Sequence, residues 1–467
     1  MKAGNRFLIA LFMLAQFVIA LRADSKAEIS CGQTITENTI LGEDLVCPPG
    51  TNYAIEIGAS NVTLDLGGHL LSGYAPGTGV LTVGHEGITI RNGAIEGFND
   101  GIFIINSRNV TVDHLTIRNQ NVMDPNHFIF GVHIDGSQDV VVRDSLFEFP
   151  SVAHKEAVEI FDSVVEVSDI EVRGGGAGVS FSFAEVCDPV NGPSNGTVIN
   201  SRFSEIYGAG IWIACSSNAW IQGNNFSTAP GVGIGIQGDA PFSGAVTGLT
   251  VKENFIHDTM IGIEFRGITE SSISNNYVLD NQIWGIAMRQ SLGCLAPEPG
   301  WECFNSAENA IADNETWGSG TDLYNYKDSL GNTWEGNTCE TKQGADIPEC
   351  IPPNATLTIN YAGGRPGSYF TLEGANFPID STATITVNGS TLGTVRTDAS
   401  GDLVFLLNTE QADEGKYIAT ATINPSSSAR FVLDSSHLLH QQEGEGTVFN
   451  VPGGLTTHSV YVPLILR

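Results

Sequence analysis

Apolar and polar residues alternate in short segments along most of the chain. In one kind of segment, a Gly or Ala is followed by an apolar residue, any residue, a second apolar residue and any residue. Its copies are GIFIINS at Gly101, GVHIDGS at Gly131, AVEIFDS at Ala157, GVSFSFA at Gly178, GIWIACS at Gly210, GIGIQGD at Gly233, GIEFRGI at Gly262 and GIAMRQS at Gly285. Strict alternation over so few residues is typical of a β-strand with one buried face.

A second kind of segment follows most of the first kind after a short turn. Its copies are NVTLDL at Asn61, GITIRN at Gly87, NVTVDH at Asn109, DVVVRD at Asp139, NAWIQG at Asn218, GLTVKE at Gly248 and SSISNN at Ser271. Short strands that recur in this way cannot each bury a face alone, so they must stack on one another. A parallel coil satisfies the pattern, with Ile102, Ile104 and their later equivalents filling the interior.

Parallel stacking also predicts which residues point outward, since equivalent positions of adjacent coils form columns with a spacing of about 4.8 Å. Counting two residues after each repeat Gly or Ala gives Phe103, His133, Glu159, Ser180, Trp212, Gly235, Glu264 and Ala287. Counting four residues gives Ile105, Asp135, Phe161, Ser182, Ala214, Gln237, Arg266 and Arg289. His133, Asp135 and Glu159 should therefore share one exposed face.

Acidic residues far outnumber basic residues. The chain has 52 Asp and Glu against 21 Lys and Arg, for a formal net charge of −31. This balance excludes nucleic acid as a partner, because binding a phosphate backbone requires clustered cations. Two interpretations of the acidity stay open, namely solubility alone and a surface that holds divalent cations such as calcium. The sequence predicts no other cofactor.

The N-terminus has the features of an export signal. Two basic residues precede an apolar run from Phe7 to Ala20, and Ala20 and Ala23 are candidate cleavage positions. We predict a signal peptide over residues 1–23 and a secreted or cell-surface protein, with the periplasm as the alternative. No other stretch has the length needed to cross a bilayer, so we expect no transmembrane segment.

Eight cysteines fit an exported protein, because disulfides persist in oxidising compartments. Their order along the chain suggests disulfides between consecutive cysteines, although eight cysteines allow 105 pairings. The predicted disulfides are Cys31 with Cys47, Cys187 with Cys215, Cys294 with Cys303 and Cys339 with Cys350. The cysteines have no CxxC spacing, which disfavours a zinc site.

The composition changes after Cys350, where alternating Thr, Val and Ile with turn residues predict a small antiparallel β-sandwich. The predicted domains are a solenoid over residues 24–350, the sandwich over 351–433, a polar Gly-rich linker over 434–457 and an apolar tail over 458–467. The tail VYVPLILR has two interpretations, a last edge strand or a segment for attachment to the cell surface.

The repeat copies carry a resemblance to a known family. The stretch from Cys31 through NVTLDLGGHLLSG to the GIxI and NVTV copies resembles the right-handed parallel β-helix repeat family, which includes carbohydrate-binding, sugar-cleaving and NosD-like periplasmic proteins. The resemblance spans residues 31–345 and implies a pectate-lyase-like solenoid, whereas activity differs among members. PGSYFTLEGANFPIDSTATITVNG resembles bacterial immunoglobulin-like modules of the TIG type.

Candidate chemistry for such a fold gathers at the second and third coils. Asp135 and Glu159 have the residue types of a glycosidase acid and base, and His133 or Lys155 has that of the base in a lyase or epimerase. Neighbouring loops add Asp124, His127 and His154. Two alternatives stay open: a solvated face held by cross-strand hydrogen bonds, and a metal site, although the spacing is not diagnostic of one.

DPNH at Asp124 resembles the DPHD motif of β-helical mannuronan epimerases. Asn126 and His127 depart from that motif, so the resemblance implies a functional role for Asp124 alone. The alternative is that Asp124 belongs to a chance Asp-Pro turn. The Asp pairs and Gly-His-Gly that mark polygalacturonases are missing, which speaks against hydrolysis by that route.

Further along the columns, Trp212 has a flat face suited to a sugar ring, with a partly buried aromatic as the alternative. Arg266 and Arg289 are candidates to neutralise uronate carboxylates, or to pair with Glu264.

Three functions follow as hypotheses. The first is a polysaccharide-binding or polysaccharide-processing protein that acts on acidic glycans as a lyase, epimerase or glycosidase. The second is a noncatalytic envelope or glycan-binding protein. The third is NosD-like metal handling, which the small number of methionines disfavours.

Overall fold

The computed structural model describes residues 26–27, 29–74, 76–118, 128–150, 155–182, 194–214, 216–227, 233–240, 246–291, 294, 303–344, 346–350, 355–423 and 426–455. Several predicted features lie outside these residues, namely the signal peptide, Asp124, His127, His154, Cys187, Cys215 and the C-terminal tail. The described part of the chain contains no helix with the length and hydropathy of a membrane span.

Most of the chain forms a right-handed parallel β-helix with a long front sheet. This sheet has 13 strands that pair in parallel along the molecule. They are Gln33–Ile35, Tyr53–Ile57, Thr78–Val83, Asp100–Ile105, Ile129–Asp135, Lys155–Phe161, Ala177–Ser182, Ala209–Ile213, Ile234–Asp239, Ile261–Arg266, Trp284–Arg289, Thr321–Asn325 and Lys342–Gln343. The predicted all-β solenoid is confirmed.

The back sheet has 22 short strands, usually two in each coil. They are Lys26–Ala27, Thr39–Leu41, Leu45–Val46, Thr63–Asp65, Leu70–Ser72, Glu86–Glu96, Arg108–Arg118, Gln138–Arg143, Leu146–Glu148, Val164–Ser168, Glu171–Arg173, Asn195–Ile199, Arg202–Ser204, Trp220–Gln222, Asn225–Ser227, Thr250–Lys252, Phe255–His257, Ser272–Ser274, Tyr277–Leu279, Ala310–Ala312, Glu315–Trp317 and Thr333–Glu335. Ser216–Ser217 and Val246–Thr247 form a separate parallel pair. Asn61 and Asn109 bend the chain with positive φ, as expected for Asn at turns.

Branched and aromatic side chains stack in register inside the coils. Ile102 pairs with Val132, which pairs with Val158, and all three are fully buried. Burying each such side chain contributes at most about 1.5–3 kcal/mol. This column is part of one continuous buried core, and it confirms the predicted interior.

An asparagine ladder holds one edge of the coils together. Asn224 donates from its side-chain amide to Asn254 Oδ1 at 3.0 Å, and Asn254 donates to Asn276 Oδ1 at 2.9 Å. Asn314 and Asn337 extend the ladder, and all five residues are buried. Buried polar groups need hydrogen-bond partners within the protein because water cannot reach them. Each amide of the ladder supplies such a partner to its neighbour.

Three predicted disulfides are present: Cys31–Cys47, Cys294–Cys303 and Cys339–Cys350. The fourth predicted pair lies outside the described residues. Disulfides at these positions indicate an extracellular or periplasmic protein, because the cytosol keeps thiols reduced.

Two facing sheets form a C-terminal sandwich around its own core, which includes Phe370, Phe405 and Tyr417. One sheet contains Thr356–Ile359, Tyr369–Ala375, Leu403–Asn408 and Thr447–Asn450. The other contains Gly363–Gly364, Thr382–Val387, Ser390–Arg396, Gly415–Thr422 and Ser427–Leu433. The immunoglobulin-like assignment stays a prediction.

The predicted linker over residues 434–457 differs from the structure. Thr447–Asn450 is a strand that pairs in parallel with Leu403–Asn408. Phe449 and Val451 are buried in the sandwich core. The polar composition of the segment concealed these two apolar anchors, so part of the segment belongs to the sandwich.

The sandwich packs against the back sheet of the solenoid. Ile418 lies in one apolar cluster with Phe255 and Leu279, and Arg430 Nη1 lies 3.6 Å from Asp258 Oδ1. Burial opposes the charge on Asp258, but its hydrogen bond from His257 and the nearby Arg430 hold its pKa at about 2. Among the described residues, these contacts lie on the back-sheet side of the solenoid.

We expect Asn254→Ala to lower the free energy of unfolding by about 1–3 kcal/mol, because it leaves buried amides of the ladder without partners. Urea unfolding followed by circular dichroism measures the change. Asn52 is exposed, so Asn52→Ala is the matched control and should cost less than about 0.5 kcal/mol. Equal stability of Asn254→Ala and the wild type would contradict a contribution from the ladder.

Candidate functional site

The outward surface of the front sheet, here called the front face, carries the predicted site residues in columns. His133 pairs with Glu159 on the adjacent coil, and Asp135 pairs with Phe161. Glu159 pairs in turn with Ser180, and Ser180 with Trp212. The predicted columns are therefore correct up to Trp212.

The predicted register is wrong by two residues at the coil that contains GIGIQGD. Gln237 pairs with Trp212 and with Glu264, whereas the sequence analysis assigned that position to Gly235. A Cβ atom on Gly235 would lie 2.7 Å from the carbonyl oxygen of Gly262, so Gly235 is the repeat glycine. Two Gly-Ile steps follow each other here, and pattern alone does not choose between them.

The corrected register adds Asp239 to the site. Asp239 pairs with Arg266, and Arg266 pairs with Arg289. Counting four residues from Gly233 gives Gln237 for this column, whereas Asp239 occupies the position in the structure.

A further outward column was also missed, formed by the residue before each repeat Gly or Ala. Phe130 lies beside His133 with ring centroids 4.6 Å apart, and Trp284 lies in one apolar cluster with Trp212. A strict alternation would turn this residue inward, but the small residue that follows already faces the core, as Gly131 does against the ring of Phe147, so the alternation is broken at this point. Glu156 belongs to this column, next to Glu159.

His133 is enclosed by aromatic rings. Its ring stacks on Phe103 at 4.2 Å between centroids and meets the edge of Phe161 at 5.3 Å. Burial among these rings lowers the pKa of His133 to about 4, because the charged imidazolium loses its hydration. His133 is therefore neutral near pH 7 and a weak base.

Glu159 and Glu156 form a buried carboxyl pair. Glu159 is only 2% exposed. Burial raises its pKa well above the ordinary value, the charge and hydrogen bond of Glu156 raise it further, and the Ser182 and Ser180 hydroxyls partly oppose this. Burial and the neighbouring Glu156 therefore favour the protonated form of Glu159, which makes Glu159 a candidate proton donor.

Two other predicted residues lie near this carboxyl pair. Burial raises the pKa of Asp135, with a contribution from Asp162, and burial lowers the pKa of Lys155. The predicted common face is confirmed for His133, Asp135 and Glu159, but the expected exposure is wrong for Glu159, because the sequence count does not report burial.

Further along the front face, two guanidinium groups surround one buried carboxylate. Glu264 is fully buried, Arg266 Nη2 lies 2.8 Å from its Oε2 atom, and Arg289 Nη1 contacts its Oε1 atom. Arg266 also pairs with Asp239 at 3.3 Å. Burial raises the pKa of Asp239 to about 7, although Arg266 opposes the shift. Of the two interpretations of these arginines, the structure shows the pairing with Glu264, and their predicted role in substrate binding stays a prediction.

Aromatic rings lie next to this charged network. Trp284 and Tyr324 stack with centroids 5.0 Å apart, and the guanidinium of Arg289 lies 4.6 Å from the centre of Trp284. Trp212 packs on the same apolar cluster, beside Ile234. Trp212, Trp284 and Tyr324 are all partly exposed, and we call them the aromatic platform.

Among the described residues, one group of side chains has the close spacing of metal ligands. Asp113, His114 and Asp144 bring ligand atoms within 4.8 Å of one another. They lie on the back sheet, and Asp113 already pairs with Arg143 at 3.3 Å. This group is separate from the front face.

Residues 56–284, a little under half of the chain, match the family described as periplasmic copper-binding protein (NosD). This match supports the predicted resemblance to NosD-like proteins of the parallel β-helix type. No curated protein sequence matches the chain.

Several solved structures are similar at low identity. The A-module of mannuronan C-5 epimerase AlgE4 from Azotobacter vinelandii is 14% identical over 69% of this chain and 90% of that chain, with a TM-score of 0.44. The catalytic domain of a GH87 α-1,3-glucanase is 15% identical over 65% of this chain and 63% of that chain, with a TM-score of 0.41. The Dettilon tailspike protein is 11% identical over 87% of this chain and 84% of that chain, with a TM-score of 0.39. Likeness at this level carries no argument about activity, so the function must be argued from the front face itself.

Proposed function

We propose that this chain is a secreted protein that binds an extended polysaccharide along its front face. The observation that carries the proposal is the aromatic platform beside the paired arginines. Aromatic rings offer flat apolar surfaces to the C–H faces of sugar rings, while guanidinium and amide N–H groups donate to hydroxyls. Gln237, Arg266 and Arg289 provide such donors around the platform.

The geometry of the platform favours a polymer over a single sugar. Trp212 and Trp284 belong to strands that are three coils apart. Adjacent coils are spaced by about 4.8 Å, so the two rings are separated by about 14 Å along the solenoid. Several sugar units of an extended chain span this distance.

A second candidate function, processing of the bound polysaccharide, is favoured by Glu159, because burial raises the pKa of its carboxyl group. Glu159 lies two coils before Trp212, or about 10 Å along the same column. A chain that extends from the platform towards the N-terminal coils reaches this position. A carboxyl group that keeps its proton near neutral pH is suited to act as general acid. Asp135 is the candidate base.

The alternatives rest on different observations. The burial of Glu159 favours a noncatalytic binding protein, since substrate must reach a group that is 2% exposed. The match of residues 56–284 to the NosD family favours metal handling. Among the described residues, however, the closely spaced ligand group lies on the back sheet.

We expect Trp284→Ala to weaken polysaccharide binding by about tenfold or more, because loss of a central aromatic contact costs about 2 kcal/mol at an interface. Affinity electrophoresis across a panel of soluble polysaccharides measures the change. Trp220, which is 38% exposed on the back sheet, provides the matched control, and Trp220→Ala should retain full affinity. Equal losses in the two variants would place the polysaccharide elsewhere.

If Glu159 is the general acid, Glu159→Gln should lower turnover of the bound polysaccharide by about 10²- to 10⁴-fold while binding is retained. Product analysis by mass spectrometry measures turnover, and Glu166→Gln on the exposed back sheet is the control. Binding without product by the wild type would support the noncatalytic alternative.

The same variant should change the pH dependence of stability. Folded Glu159 keeps its proton above the ordinary pKa of 4.5, so folding stability falls as pH rises from that value towards the raised pKa. Glutamine does not titrate, so Glu159→Gln should lose less stability than the wild type as pH rises from 4.5 in urea unfolding. Parallel pH profiles would show that Glu159 is not held protonated.

A further inference from the structure

We infer that the polysaccharide bound on the front face is neutral, and that polyuronates and other acidic glycans are excluded. This inference rests on the proposed function, and it opposes the uronate that the sequence analysis expected from Arg266 and Arg289.

The two arginines are already committed to internal partners. Glu264, fully buried, contacts both guanidinium groups, and Asp239 contacts Arg266. A uronate that captured either guanidinium would leave a buried carboxylate short of its counter-ion. Breaking a buried ion pair in this way costs about 3–5 kcal/mol, more than a surface contact returns.

The other cations of the front sheet are also occupied or buried. The 13 strands contain four Lys and Arg residues, namely Lys155, Arg266, Arg289 and Lys342. Lys155 is buried, and Lys342 Nζ contacts Glu349 at 3.0 Å and donates to the carbonyl oxygen of Ile347 at 2.9 Å. His133 adds no charge near pH 7, because burial lowers its pKa to about 4. The described front strands therefore present no uncompensated cation.

The same strands carry a surplus of acids. Their front-face carboxyl groups are those of Glu56, Asp100, Asp135, Glu156, Glu159, Asp239 and Glu264. Burial favours the neutral form of Glu159, and Asp239 and Glu264 are paired with the two arginines, so the remaining four acids carry the surplus. The whole chain has a formal net charge of −31. Such a surface repels a polyanion over a range set by the Debye length, about 10 Å at 0.1 M salt.

The groups that remain available to a ligand are uncharged, or their charge is already balanced by a neighbouring carboxylate. The aromatic platform offers apolar faces, and Gln237 offers an amide. The side chains of Arg266 and Arg289 are 16% and 20% exposed, and each guanidinium group has more N–H donors than its carboxylate contacts use. Hydroxyl groups accept from such donors without separating the ion pairs, so a neutral polymer of hexoses fits this chemistry.

A matched pair of ligands tests the inference. The wild-type protein is titrated with each neutral polysaccharide that it binds, and with the same polysaccharide after oxidation of its primary alcohols to carboxylates. The two polymers then share linkage and length and differ in charge. Oxidation should weaken binding by about tenfold or more at 0.05 M salt, and the difference should shrink at 0.5 M salt because screening removes repulsion. Binding of the neutral polymer should not change with salt.

The outcomes separate the inference from the proposed function. Equal or tighter binding of the oxidised polymer, with or without added calcium, overturns the inference while the proposed function stands. Binding of neither polymer overturns both.

A substitution at Glu264 tests the ligand preference independently. Glu264→Gln removes the buried acidic partner of Arg289 and one of the two acidic partners of Arg266, which still contacts Asp239. It should therefore bind the oxidised polymer at least about tenfold more tightly than the wild type does. Glu335→Gln, an exposed change on the back sheet, is the matched control and should leave the preference unchanged. If Glu264→Gln folds but shows no gain, Glu264 does not set the preference and the inference fails. If it does not fold, the matched ligands decide with the wild type alone.

Discussion

The stacking of Val, Ile and Phe side chains in register between coils is the constraint on which the rest of the structure depends. Ile102, Val132 and Val158 occupy one buried column. Because side chains alternate along a strand, a column that is fixed inside also fixes its neighbours outside. The outward order of His133, Glu159 and Trp212 is thus set by residues that never meet a ligand.

Sequence periodicity was sufficient for the interior and for most outward positions, because both depend on the two-residue repeat of a strand. It was insufficient where the repeat is locally ambiguous, as at Gly233 and Gly235, and this error hid Asp239. It also missed Trp284, since a glycine bends the chain between two outward residues. Burial of Glu159 and the docking of Thr447–Asn450 depend on contacts between distant segments, which a one-dimensional pattern does not contain.

The front face divides into two parts with different electrostatics. Around Glu159, burial and the neighbouring Glu156 raise the pKa of the carboxyl group, so its protonated form is favoured. Around Glu264, acids and guanidinium groups balance one another, and the aromatic platform lies beside them. The arginines look like carboxylate receptors in the sequence, but in the folded chain they serve as counter-ions. Charge type alone therefore misidentifies a ligand when the partner of the charge is ignored.

The central claim is that sugar rings lie on the aromatic platform. Oxidative footprinting of the wild-type protein, with and without a neutral oligosaccharide that it binds, tests this claim at single residues by mass spectrometry. The account predicts that Trp212, Trp284 and Tyr324 become protected while Trp220, on the back sheet, is oxidised at an unchanged rate. Protection of Trp220 with unchanged oxidation of the platform would contradict the account.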